Sequence, residues 1–366
     1  MYLDILGLVQ FEVRGEGETL RNYLRYEYSI LEVEQLGQRE PDFVIHLVDD
    51  VSSEQESVHV RGPVSYDNDG VYLQHRLPDD DPEYNTFRID FDALGRKSCH
   101  ISCDREFNPH FFSIIVDYLI HIHLLDHGAT YCHSCAFEYD GKVIVCPAWR
   151  QVGKTNLLLS FLREDVSYIA DDWCVLTEDG RVHALPKRLN LLYYNFKQYP
   201  ELLDSTPAEF NSLVNFVKRA KSGEIDLNQD AIDTLTDQAR MRISPYDLFD
   251  DVSDGDPDPI DYIFLLRRSP FEEQSVTRAT LSRDVFPYRK QSILDFEQSY
   301  FKTAYKVHKA QTGGINYYLE NTEERTLEIL GGVAEKTPEL YELTAPSQQD
   351  ADKLKQVIVQ AIMNEG

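Results

Sequence analysis

The sequence predicts an α/β fold: a β-rich N-terminal part, then a strand–loop–helix–strand core that carries a helical insertion. Three observations predict it. Up to about Cys103 the text consists of short apolar runs separated by Gly, Asp, Asn and Pro, the pattern of strands and turns. A continuous apolar run, Val143-Ile144-Val145-Cys146, then leads through Gly153-Lys154-Thr155 into an apolar helix. The next run, VSYIA, ends on Asp171-Asp172. At 366 residues with 42% apolar and 11% aromatic side chains, the chain has material for two or three packed cores and is too apolar to stay disordered.

Taken in order, ILGLVQFEV, DFVIHLVDD, ESVHVRG, GVYLQHRL, NTFRIDFD and CHISC read as strands of an antiparallel β domain. PHFFSIIVDYLIHIHLLDHG reads as a helix that opens a second domain. Its Phe112, Ile115, Tyr118, Leu119, Ile122 and Leu125 recur at helical spacing, and Gly128 stands where a C-terminal cap belongs. CHSCAFEYDGKVIVC gives two strands about a turn at Asp140-Gly141, and NLLLSFLRE gives a helix. From Glu201 to about Asp250 the residues favour helix, with Phe210, Leu213, Val214 and Val217 on one stripe, and DDVSDGDPDPID then reads as an exposed acidic loop. DYIFLLR is a buried strand, and helical text runs on to about Ala310. A final helix capped near Ser347 turns Leu354, Val357, Ile358, Ala361 and Ile362 inward. The expected division is a β-rich domain at 1–107, a core at 108–200, a helical insertion with an acidic loop at 201–259, and a C-terminal part of the core domain at 260–366.

The 63 acidic against 36 basic residues give a net charge of −27, so the average field repels a nucleic-acid duplex or an anionic lipid surface. Neither nucleic acid nor a membrane is an expected partner; homo-oligomerisation is left open. No run approaches the roughly 18 to 20 apolar residues that span a bilayer, and MYLDILGLVQFEVRGEGE places acids where a signal peptide needs a basic flank. The expected location is the cytoplasm. Six cysteines in a chain this long are too sparse for a disulfide scaffold and read as reduced thiols.

The strongest signal is the loop Ala148-Trp149-Arg150-Gln151-Val152-Gly153-Lys154-Thr155-Asn156. It fits the tail of a phosphate-binding P-loop, with Ala148 where G-x-x-x-x-G-K-[ST] asks for glycine. In such a loop backbone N–H groups face the anion, Lys154 reaches the β and γ phosphates, and the Thr155 hydroxyl completes a Mg²⁺ shell. A Gly-Lys-Thr tripeptide also arises by chance at helix starts; the apolar strand before it and the acidic pair at the end of the next strand separate the two readings. Asp171 and Asp172 can divide the work of holding a metal and accepting a proton, or can simply cap a turn.

His133-Ser134-Cys135-Ala136-Phe137-Glu138-Tyr139-Asp140-Gly141, the loop, and Ala170-Asp171-Asp172 together resemble the HPr kinase/phosphorylase family and its HPr-kinase-related relatives. In that family a histidine lies fifteen residues before the first loop glycine, as His133 precedes Ala148, and the proton-accepting aspartate follows the loop's Ser/Thr by seventeen, as Asp172 follows Thr155. The segment Gly180–Leu189 is also similar to the one those kinases place after their aspartate pair. The family carries G-x-S-G-x-G-K-S, whereas here Arg150 and Gln151 replace the Ser-Gly pair. Its metal-completing glutamate and its later glycine-rich segment have no counterpart. The resemblance covers roughly Ile115 to Leu192 and, loosely, IDYIFLLRR.

The resemblance implies an HPr kinase-like, PEP carboxykinase-like nucleotide-binding core and a kinase acting with ATP or GTP and Mg²⁺. Asp172 would be the base, Lys154 would neutralise the transferring phosphate, His133 would orient it, and Thr155 with Asp171 would hold the metal. The acceptor it implies is a Ser/Thr-type hydroxyl on a protein, peptide or small molecule. On chemistry alone, a non-catalytic nucleotide-binding regulator and an interaction protein with a silent loop stay open, and His133 by itself also fits a packed strand histidine.

Other clusters read as structural. Cys132 and Cys135, flanking His133, project to opposite faces of an extended chain and do not form a chelate with Cys99, His100 and Cys103. Of His121, His123 and His127, only the last two share a helical face. Asp226-Leu227-Asn228-Gln229-Asp230 imitates a calcium loop, with Ala231 where the sharp turn needs glycine and a short Asp237 at its end.

Overall fold

The computed structural model describes residues 1–28, 31–37, 39–51, 57–67, 70–76, 84–95, 98–253, 256–269, 275–346 and 351–365. The chain is a mixed α/β protein that divides into two compact units, residues 1–131 with 287–332, and residues 132–286 with 333–366.

The first unit is built on a sheet with nine strands among the described residues. Their order is Glu32–Val33, Tyr2–Ile5, Val9–Arg14, Phe43–Val48, Cys99–Asp104, Tyr84–Arg88, Val71–Arg76, Val64–Tyr66 and Val58–Arg61. The expected antiparallel domain is corrected here: Phe43–Val48 runs parallel to both Val9–Arg14 and Cys99–Asp104. The cause is a helix the sequence reading missed, Glu18–Tyr28, which carries the chain back across the sheet and lets the flanking strands run the same way. It buries Leu20, Leu24, Glu27 and Tyr28, one helical face. The Pro109–Leu124 helix forms as its spacing demands. Asn108 Oδ1 accepts the Phe111 N–H at 2.9 Å, and Gly128 closes the end in the left-handed region at φ 62°. That helix belongs to this unit and does not open the next, so the boundary expected at 107/108 falls instead inside the Ala129–Tyr139 strand.

The second unit carries a sheet with ten strands among the described residues, ordered Asp258–Pro259, Arg181–His183, Trp173–Thr177, Ala129–Tyr139, Lys142–Pro147, Tyr262–Arg268, Glu339–Ala345 and Thr277–Thr280, with Val166–Ala170 and Asp251–Val252 branching from Ala129–Tyr139. Asp140 and Gly141 both take positive φ, 53° and 68°, the backbone a tight hairpin between 129–139 and 142–147 requires. Lys142–Pro147, Tyr262–Arg268 and Glu339–Ala345 lie parallel in the middle, which explains the near-continuous apolar text of the first two. One face packs on Leu157, Leu158, Leu159 and Phe161 after the loop, on Phe210, Val214 and Val217 of the Ala208–Lys221 helix, and on Leu354, Ile358, Ala361 and Ile362 of the Ala351–Glu365 helix. Each such side chain taken from water contributes about 1.5–3 kcal/mol before entropy is charged.

The 201–259 segment lies within this unit and gives Leu202, Phe210, Val214, Val217, Ala239, Ile243 and Phe249 to its core. The acidic run contains two paired strands, Asp251–Val252 and Asp258–Pro259. Asp226–Asp237 forms no ion loop geometry but an ordinary helix start, Asn228 capping Gln229–Gln238 by accepting the Ala231 N–H at 2.8 Å. Ser347, expected as the last helix cap, lies outside the described residues.

Candidate functional site

Strand register brings distant segments to one end of the second unit's sheet. Ala148 bridges to Leu266, Ala170 bridges to Leu185, the Ala148 N–H donates to the His133 carbonyl at 3.1 Å, and the Ser134 N–H donates to the Asp172 carbonyl at 3.2 Å. Residues 133, 135 and 137 alternate onto the face that carries the loop and its helix, because Cys135 and Phe137 both join that core.

The loop is a turn. Ala148 and Val152 are buried, Trp149 is 40% exposed, and Arg150 and Gln151 are exposed. Gln151 is held at φ 57° and Gly153 at φ 112°. Gln151 therefore occupies the left-handed region where the resembled family has glycine, a conformation that costs a side-chain-bearing residue about 1–2 kcal/mol. The helix that follows spans only Lys154–Leu159, shorter than the nine residues of NLLLSFLRE; Ser160 ends it by donating its hydroxyl to the Leu157 carbonyl at 2.6 Å. The Asn156 side chain is turned inward, where its Oδ1 accepts from Asn195 Nδ2 at 2.5 Å, so it braces the helix.

The expected catalytic residues meet. His133 Nε2 lies 2.8 Å from Asp172 Oδ1 and 2.9 Å from Lys154 Nζ, and the Thr155 hydroxyl donates to Asp171 Oδ2 at 2.8 Å. One ring nitrogen serves only one of its two neighbours at a time: either it carries a proton and donates to Asp172, or it is bare and accepts from the Lys154 ammonium. The two aspartates differ in setting. Asp171 is 4% exposed, and burial together with the charge of Asp172 raises its carboxyl to about 6 against the pull of Lys154 and the Thr155 hydroxyl. Asp172, at φ 70°, keeps its side chain 68% exposed. Although its surroundings strip some hydration, the hydrogen bond and charge of His133, with Lys154 and Lys187, hold its carboxyl well below the usual range.

Asp171 Oδ1, turned inward, meets no hydrogen-bond donor among the described residues. An inward carboxylate oxygen without a donor, beside a Thr hydroxyl, fits the hard-oxygen preference of a magnesium ion. Among the described residues no group of three or more His, Cys, Asp or Glu side chains converges to hold a metal alone. All six cysteines are buried and none forms a disulfide; Cys132 and Cys135 lie within one strand, and burial and contact with Cys146 push the Cys135 thiol up.

Sequence reasoning missed several neighbours. Trp173 packs its ring on His133 at 5.1 Å between centroids, Lys187 faces Asp172, and Tyr194 lies in the fields of Asp171 and Arg268. The run Asp172-Trp173 carried the only signal available for any of these. No helix among the described residues is long and apolar enough to cross a membrane. Comparison with models of known protein families finds no match, and comparison with curated proteins finds none either.

Proposed function

We propose that the protein is a Mg-ATP-dependent kinase with an HPr kinase-like core, moving the γ-phosphate to a Ser/Thr-type hydroxyl on a protein, peptide or small molecule. The observation that carries this reading is the convergence of Lys154, His133 and Asp172 within 2.9 Å contacts at the mouth of a Gly-Lys-Thr loop. Asp172 is open to a substrate and ionised throughout the physiological range, so it can take the acceptor's proton. As it does, the acceptor oxygen bonds to the γ-phosphorus, the bond from that phosphorus to the β–γ bridging oxygen breaks, and ADP leaves with the electron pair. Lys154, freed from His133 by an incoming phosphate, offsets the charge, while His133 turns its Nε2–H to Asp172 and fixes the carboxylate. Thr155 and Asp171 would hold magnesium, which when bound neutralises phosphate oxygens.

A second reading, a non-catalytic nucleotide-binding regulator, is favoured by the burial of Lys154 against His133 and by Arg150 and Gln151 in the loop. Hydrolysis of Mg-ATP with water standing in for the acceptor, compared between the wild type and Asp172→Asn, separates them. Hydrolysis lost in the variant supports the kinase. Nucleotide bound but never turned over by the wild type supports the regulator.

A further inference from the structure

We infer that Arg268 is a phosphate-binding residue of the same site, gripping the phosphate chain of the nucleotide beside the turn at 148–153. The inference rests on the nucleotide-binding reading above and adds a residue that the loop motif does not contain.

The argument begins with strand parity. Tyr262, Phe264 and Leu266 all join the core formed with the loop's helix, so period two puts Arg268 on that same face, two residues beyond the Ala148–Leu266 bridge where the loop departs. Arg267 takes the other face, where its Nη1 donates to Glu342 Oε1 at 3.2 Å. Arg268 is exposed and makes no ion pair among the described residues, although the chain has 63 acidic side chains against 36 basic ones. An arginine left without a carboxylate in so acidic a protein, beside a loop of this type, suits an anionic ligand. Tyr194 supplies the link across the site, since the charges of Asp171 and Arg268 both reach its phenol. Arg268 therefore lies at the strand end beside which the turn at 148–153 departs, the turn that leads into Lys154. A bidentate guanidinium fits phosphate oxygens better than an ammonium would.

Two adjacent arginines on opposite faces provide an internal control. Calorimetric titration of the full chain with Mg-ATP and with Mg-ADP should show Arg268→Gln weakened roughly ten- to hundredfold, as loss of a charge-assisted contact predicts, with Arg268→Lys between it and the wild type. Arg267→Gln should stay within about twofold of the wild type, since its partner lies on the far face. A loss greater for ATP than for ADP assigns the guanidinium to the terminal phosphate, and equal losses assign it to the inner ones. If Arg268→Gln and Arg267→Gln bind alike, the inference fails while the loop reading stands. If the wild type binds neither nucleotide, both fall together.

Discussion

His133 Nε2 and Asp172 Oδ1 lie 2.8 Å apart although one side chain is sealed and the other open, 4% against 68% exposed. A buried ring thus holds an accessible carboxylate, the arrangement by which a packed scaffold fixes a reactive group without covering it. The same ring nitrogen lies 2.9 Å from Lys154 Nζ, so movement of the lysine toward a ligand and tightening of the His133–Asp172 contact are linked.

Asp172→Asn removes the proton acceptor and keeps the shape. Turnover of Mg-ATP should fall roughly 10²–10⁴-fold, the usual worth of a positioned base. Nucleotide affinity, followed by calorimetry, should change only a few-fold. Turnover close to that of the wild type would exclude Asp172 as the base.

Asp171→Asn should stabilise the ligand-free protein at neutral pH. The Asp171 carboxyl is raised from 3.8 to about 6 by burial and by Asp172, so the folded chain binds this proton more tightly than the unfolded one. Its contribution is complete below about pH 4 and is lost as pH rises through about 6. The advantage of the variant should therefore grow across that window to about 2–3 kcal/mol at pH 7. Urea melts at pH 4 and pH 7 measure it, and an advantage that shrinks with pH contradicts the sign. Added magnesium with nucleotide should stabilise the wild type more than the variant.

Gln151→Gly relieves a left-handed backbone and gives up the side chain's restriction of the unfolded chain. The two effects oppose one another, leaving a net change between zero and about 1 kcal/mol in favour of the variant. At an ordinary exposed position the same substitution costs stability, so a melt showing a loss above about 1 kcal/mol would show that the loop does not need the conformation.

Gly15→Ala tests the first unit. Gly15 sits at φ 87°, and a Cβ there would overlap the Leu47 carbonyl oxygen, which is fixed in the central strand. A loss of about 2 kcal/mol or more is expected by chemical denaturation. Gly141→Ala, at φ 68° with open space around it, should cost less.

Much of the second unit is legible in the text. The Val143–Cys146 run, the Asp140-Gly141 turn, the loop and the aspartate pair are contiguous signals, and local chemistry alone fixes them. What is lost is whatever depends on register between segments far apart in the chain. Glu339–Ala345 reads ELYELTA, whose charges mask a strand that is buried because it is paired on both sides, in parallel with Tyr262–Arg268 and antiparallel with Thr277–Thr280. The approach of Arg268 to the loop follows from the pairing of residues 148 and 266, and no motif records it. In the first unit, Glu18–Tyr28 is short and interleaved with charge, so its four buried positions give no clear stripe in the text and the parallel direction of the strands on either side of it is not legible there.

The chain has two tryptophans, Trp149 on the turn and Trp173 packed at a tilt on His133. Indole emission, excited beyond the tyrosine band, therefore originates entirely from one end of one sheet. Events at that end can be timed in unlabelled protein by stopped-flow, with each indole replaced in turn by phenylalanine to tell the swing of the turn from the shift of the imidazole.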